Sequence, residues 1–180
     1  SIDCDSGLWR CWVCGGGTDT GGGNALTFLR MLHQAAVAST DLERSFLQEV
    51  AKDRRLCSAE TVAAWGVCKS PINGNWLVPG YSADGKLNQL YRRTRVQSQS
   101  TKEWYWALLP TPGVWPEGKV HALHMPVEDF DPERPSIAVC EGPWDGMALW
   151  EVLNNELGKC NVVAVPGCNV WRDEWNKLCE

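Results

Sequence analysis

No stretch of this 180-residue chain approaches the ~20 consecutive apolar residues that cross a bilayer, and no signal peptide opens it. A membrane or secreted role is therefore not expected. Excess positive charge is missing too. Lys and Arg number 17 against 22 Asp and Glu, a formal net charge of −5, which argues against a protein that coats nucleic acid non-specifically. Histidine is scarce, with three residues and no metal partner at ligand spacing, so His33 reads as a boundary side chain and the other two as structural. The nine cysteines are an odd number without disulfide-framework spacing, which fits a reducing cytosol. No internal repeat or low-complexity segment is visible.

What is present fits a globular enzyme fragment. Apolar residues make up 44% of the chain, enough for one good core or a core with a small appendage. The eleven tryptophans are unusually many and read mostly as core and interface filling, with a minority free to stack on bases. Charge is unevenly spread. Between Lys86 and Lys102 lie five basic residues and no acid, whereas Glu128 to Glu156 holds eight acids against Arg134 alone. That is either a phosphate-binding middle beside a metal-binding carboxylate site, or a solvated strand face with a compensating acidic surface.

The most informative words are Ile137-Ala-Val-Cys-Glu141-Gly-Pro-Trp-Asp145-Gly-Met-Ala-Leu-Trp150. A short apolar run ends in Glu141, Gly142 and Pro143 give a tight turn, and an apolar-periodic helix follows over 144–157. The pattern predicts a buried strand that presents a carboxylate at its C-terminal end, where open α/β sheets bind their ligands. With Asp145, Glu141 would make half of a Mg²⁺ site, since a hard cation takes oxygen donors and keeps several waters. The plain alternative is an ordinary strand–helix connection with Asp145 favouring the helix dipole.

A second constellation opens the chain: Trp9-Arg-Cys11-Trp-Val-Cys14-Gly-Gly-Gly17, continuing to Asn24-Ala-Leu-Thr-Phe28-Leu. A Cys-x-x-Cys followed by glycines is half of a zinc ribbon, with the two thiolates on a knuckle. A thioredoxin-like redox pair is the competitor, and no preceding βαβ pattern supports it. The glycine run over 15–23 lacks a Gly-Lys-Ser/Thr ending, so it is not a phosphate loop.

Taken in order, these words resemble the TOPRIM-type DNA primases of bacteria and phages, and most closely the compact phage or plasmid forms. Cys11 and Cys14 are similar to the second ligand pair of the primase zinc domain. Leu56-Cys-Ser-Ala-Glu-Thr-Val-Ala-Ala-Trp-Gly66 resembles the segment joining that domain to the catalytic core. Glu141-Gly-x-x-Asp145 resembles the first TOPRIM motif, and Asn161-Val-Val-Ala-Val165-Pro-Gly the second TOPRIM strand. The expected fold is α+β with an α/β TOPRIM-like half. It comprises a zinc-ribbon remnant and helix over 1–36, a linker helix over 37–57, the first part of a catalytic core over 58–135, and a partial TOPRIM domain over 136–180.

Within that frame Asn24 caps a helix to about Ala36, Asp41 one to about Asp53, and Ser58 a short one stopped by Gly66. Trp76–Tyr81 and Lys86–Arg95 read as a hairpin about Asp84-Gly85. Alternation puts Leu87, Gln89, Tyr91, Arg93 and Arg95 on one face and Arg92 on the other. Glu103 to Leu109 is a further strand, 119–124 a short one, and 161–165 the strand after the helix. A last helix carries Trp171, Trp175 and Leu178.

The resemblance implies template-directed RNA primer synthesis on single-stranded DNA from ribonucleoside triphosphates. The cofactors implied are Mg²⁺ (or Mn²⁺) and Zn²⁺, and the partner a replicative helicase, fused or separate, in a bacterial cytoplasm. Glu141 would hold metal or act as general base, and Asp145 would shape that site. Arg93 and Arg95, with Arg92 and Lys86, would hold phosphates; charge protection of a sheet edge is the plain alternative. Trp9 and Trp12 would stack on template bases or serve only as the ribbon's small core. The first zinc-ligand pair would lie before Ser1 and the Asp-x-Asp motif after Glu180, so the chain alone is expected to be inactive. Two rivals stand beside this reading: a TOPRIM nuclease or topoisomerase-like enzyme, and a non-catalytic zinc-dependent single-strand-binding module.

Overall fold

The computed structural model describes residues 9–10, 22–23, 30–31, 33–37, 44–56, 58–70, 73–111, 122–156, 160–167 and 170–178. Over these the protein is α+β, with an antiparallel four-stranded sheet and a parallel strand pair. Strands β1 (Trp9–Arg10) and β2 (Gly22–Gly23) pair antiparallel by themselves. Helical backbone over 33–37 is α1. Helix α2 (Arg44–Arg54) and α3 (Ala59–Ala64) precede β3 (Cys68–Lys69), β4 (Trp76–Tyr81), β5 (Leu87–Gln97) and β6 (Trp104–Pro110). Then β7 (Ser136–Glu141), α4 (Pro143–Glu156) and β8 (Cys160–Val165) form a β–α–β unit, closed by a 3₁₀ helix over Asp173–Leu178. The expected last helix is present with Trp175 and Leu178, in the tighter 3₁₀ form, and Trp171 lies just before it. No helix among the described residues is long and apolar enough to cross a membrane.

The expected punctuation explains most element ends. Ser58 caps α3, its hydroxyl accepting from the Thr61 N–H at 3.1 Å. Gly66 stops it in the left-handed region at φ +67°. The β4–β5 turn is closed by Ser82 N–H to the Lys86 carbonyl at 2.9 Å, with Gly85 at φ +73°. Tyr91, Arg93 and Arg95 share a face as read from the alternation. Leu87 departs from it and packs with Leu90 in a second cluster beyond the register shift at Gly80/Tyr81.

Two buried clusters flank the four-stranded sheet. One gathers Phe46, Leu47 and Val50 of α2, Val62, Trp65, Val78, Tyr91, Met147 and Ala164. The segment expected as a linker thus contributes a helix to the same core as the hairpin. The other holds Cys68, Leu77, Leu90, Leu123, Val163 and Trp175. One expectation is corrected here. β7 was read as a buried strand, yet its only partner among the described residues is β8, and Val139 is exposed. The interior strand is β8, buried from Asn161 to Val165.

A two-residue segment joins the sheets. Leu123 exchanges backbone bonds with Tyr81 at 2.7 and 2.8 Å, and His124 exchanges them with Ala164 at 2.8 and 2.9 Å. The His124 Nδ1–H donates to the Pro79 carbonyl at 2.7 Å, and the ring packs against Tyr91 with centroids 4.9 Å apart. Burial holds this imidazole down from 6.5 to about 4. A base depressed in the fold binds its proton more readily when unfolded. Stability is therefore complete above 6.5 and falls as the pH drops from 6.5 to about 4. At about 1.4 kcal/mol per pH unit the loss amounts to about 3 kcal/mol. His33, also held down by burial, adds in the same direction. His124→Asn, whose amide replaces the donor without titrating, should remove most of this slope in melting temperatures taken between pH 7 and 4. An unchanged slope would refute the assignment.

Candidate active site and nucleic-acid interface

The β7–α4 connection follows from its residues. Gly142 turns the chain at φ +81°, and its N–H donates to the Val165 carbonyl at 2.8 Å, which ties the turn to β8. Pro143 takes the first helical position, where its missing N–H costs nothing and its fixed φ suits the helix. The result sets Glu141 at the carboxyl end of a parallel strand, in register with Val165, and Asp145 in the first turn of α4. Both carboxylates are exposed, and among the described residues neither makes a hydrogen bond or an ion pair. Behind them the Cys140 thiol is pushed up, first by burial and then by the Asp145 and Cys160 charges.

As cation ligands these two groups are chemically suitable and few. Exposed carboxylate oxygens fit a hard divalent ion that keeps most of its waters. Among the described residues, however, no group of three or more His, Cys, Asp or Glu is gathered. Glu151, one and a half turns beyond Asp145, points into the core instead. Cys11, Cys14 and Trp12 lie outside the described residues. Trp9 is placed by its β1 backbone alone.

Gly146 shows how tightly α4 approaches its neighbours. A Cβ there would stand 2.5 Å from Cη2 of Trp65 and 3.0 Å from the Cβ of Ala164. Trp65 is 1% exposed and has nowhere to withdraw. Alanine gains about 1 kcal/mol in helix propensity, but overpacking a rigid core costs about 1–3 kcal/mol. Gly146→Ala should lower the urea midpoint, and an unchanged or raised midpoint would contradict this packing.

The four basic candidates do not converge on one point. Lys86 pairs with Asp84 in the exposed hairpin turn at 2.6 Å. Arg92 is half-buried on the other face of β5. Arg93 is 11% exposed in its side chain, bridged to Asp53 at 3.0 Å, and held over Trp76 at 4.0 Å and Trp106 at 4.5 Å from the ring centroids. It is a structural clamp in this arrangement rather than a free phosphate arm. Desolvation, then the neighbouring Arg54 charge, lowers its proton affinity. Arg95 stands nearer solvent, 5.9 Å from both Trp104 and Trp106.

Sequence reasoning missed Trp104, Tyr105 and Trp106, consecutive residues of β6 that are each more than half exposed. The available signal was the pairing of two period-two patterns, Arg93-x-Arg95 against Trp104-x-Trp106. Compared with known proteins, the chain matches no family model and no curated protein.

Proposed function

We propose that this chain is part of a TOPRIM-type DNA primase, which joins ribonucleotides into short primers on single-stranded DNA. One observation carries the reading. Glu141 and Asp145 are both exposed across the Gly142 turn at the carboxyl end of a parallel strand pair. A second supports it: the primase-like linker words and the Glu-Gly-x-x-Asp helix meet in space. The Thr61 hydroxyl and the Ser58 N–H donate to the Glu151 carboxylate of α4 at 2.6 and 2.8 Å.

In this reading residues 1–36 are a zinc-ribbon remnant with Cys11 and Cys14 as thiolate ligands, and 136–180 are the start of a TOPRIM domain. A divalent cation at Glu141 would supply charge neutralisation for the triphosphate. The protein's own share is to hold Glu141 at the reacting end as ligand or proton acceptor, and to place Asp145 beside it. Arg95 contributes positive charge toward the template. The setting would be a bacterial cytoplasm, with a replicative helicase as working partner.

The test is primer synthesis by the protein expressed from its whole reading frame, on single-stranded DNA with ribonucleotides and Mg²⁺ or Mn²⁺. Short RNA products are expected. Loss of the substrate DNA would establish the nuclease rival instead, and DNA binding without products would establish the binding module.

A further inference from the structure

A row of alternating tryptophans and arginines crosses the protein and is assembled from five elements. Trp144, in the first turn of α4, lies 4.8 Å from the guanidinium of Arg54 at the end of α2. Arg54 is 6.0 Å from the ring of Trp76 on β4, which Arg93 of β5 covers at 4.0 Å. Arg93 is 4.5 Å from Trp106 on β6, and Arg95 is 5.9 Å from both Trp106 and Trp104.

The two ends of the row differ. At the inner end the Asp53 carboxylate pairs with both Arg54 at 3.1 Å and Arg93 at 3.0 Å, so each cation has a counter-charge and the rings are partly covered. At the outer end Trp104 and Trp106 are 58% and 54% exposed, and Arg95 has no ion pair among the described residues. β6 is also the last strand of its sheet among the described residues. Contiguous aromatic surface of this kind marks an interaction site more often than plain surface.

We propose that the outer end of this row is a platform for single-stranded DNA, on which Trp104 and Trp106 each stack a base while Arg95 takes the intervening phosphate. Charge names the occupant. The strand segment from Lys86 to Lys102 carries five basic residues and no acid, and the acids near the row are Asp53, Glu49 and Asp145 at its inner end and Glu103 beside Trp104. A peptide or a second copy added to the β6 edge would use backbone groups and would leave Arg95 without an anion. Spacing names the strandedness. Side chains two residues apart on one strand stand ~6.8 Å apart, about twice the ~3.4 Å between stacked nucleotides of a duplex strand. Bases on both rings must therefore be unstacked, which single-stranded DNA permits. That the strand then runs toward Glu141 and Asp145, which flank Trp144 in sequence, rests on the primase reading. The platform itself does not.

The test is fluorescence anisotropy of the full chain with a labelled oligothymidylate and with a duplex of equal length, over a salt series. Single-stranded DNA should be preferred. Trp104→Ala and Trp106→Ala should each weaken binding about tenfold and together about a hundredfold. Arg95→Gln should weaken it and reduce the slope of log K against log salt by about 0.7. Trp104→Ala should leave the melting temperature close to the parent's, because that ring is exposed, and Trp106→Ala should lower it only slightly, through the lost contact with Arg93. Full affinity in the double variant, equal affinity for duplex, or no binding by the parent would each overturn the proposal. So would a dimer of the parent chain that the double variant abolishes, which would make β6 an interface between copies. A parent that binds single strands but makes no primers would sink the primase reading and leave the platform standing.

Discussion

Glu141→Gln should reduce primer synthesis by the complete protein at least about a hundredfold, the range seen when a positioned proton acceptor is removed. Single-strand affinity and thermal stability should hardly change. The amide keeps the size of the side chain and loses its charge, so cation binding and proton acceptance fail together. Stability is spared because the carboxylate is exposed and supports no hydrogen bond or ion pair among the described residues. Exposed positions of that kind shift stability by about 0.5 kcal/mol or less. Asp145→Asn should cost less, since in the proposed reading Asp145, in the first turn of α4, only shapes the site. The decisive readout is the ratio between synthesis and binding. Full synthesis by Glu141→Gln would remove Glu141 from the chemistry, and a parallel fall in melting temperature would make it a structural residue.

The elements that the sequence made legible are those ended by local chemistry. Ser58 and Gly66 bracket α3, Asp84 and Gly85 turn the hairpin, and Gly142 with Pro143 breaks β7 into α4. In each case the residue's own backbone preference or capping group decides the outcome, so a window of a few residues suffices. What stayed hidden depends on partners far along the chain. The exposure of β7 follows from its place in the sheet, since only β8 pairs with it. An apolar run looks the same at an edge as in the middle. Arg93 illustrates the point at the candidate site. Alternation gave its face correctly, but its neighbours Asp53, Trp76 and Trp106 come from three other elements. Its freedom to meet a phosphate was therefore not readable from β5 alone. The same holds for the Trp–Arg row, which no single segment contains.

Glu151 is the position where long-range packing should be felt most strongly in stability. Its side chain is buried at 5% exposure, and one carboxylate oxygen receives the Thr61 hydroxyl at 2.6 Å, the Ser58 N–H at 2.8 Å and the Ser58 hydroxyl at 3.2 Å. These bonds fasten the N-terminus of α3 to the middle of α4, across 90 to 93 residues of chain. Ser58 already accepts from the Thr61 N–H, so the cap and the carboxylate form one network. Glu151→Ala would leave buried donors without their acceptor and a cavity beside them. The cost should be about 1–3 kcal/mol for each buried donor left unsatisfied, with the cavity adding to it. Glu151→Gln keeps an oxygen acceptor and loses only the charge, so it should cost clearly less. Thr61→Val removes the shortest bond from the other side. If the network is real, the Thr61→Val and Glu151→Gln effects will be non-additive by more than about 0.5 kcal/mol in urea titrations. Strict additivity, or an Ala variant as stable as the parent, would show that α3 and α4 are held together by their apolar contacts alone. Because Glu141 lies at the head of α4, that same comparison tells how firmly the candidate carboxylate site is anchored to the core.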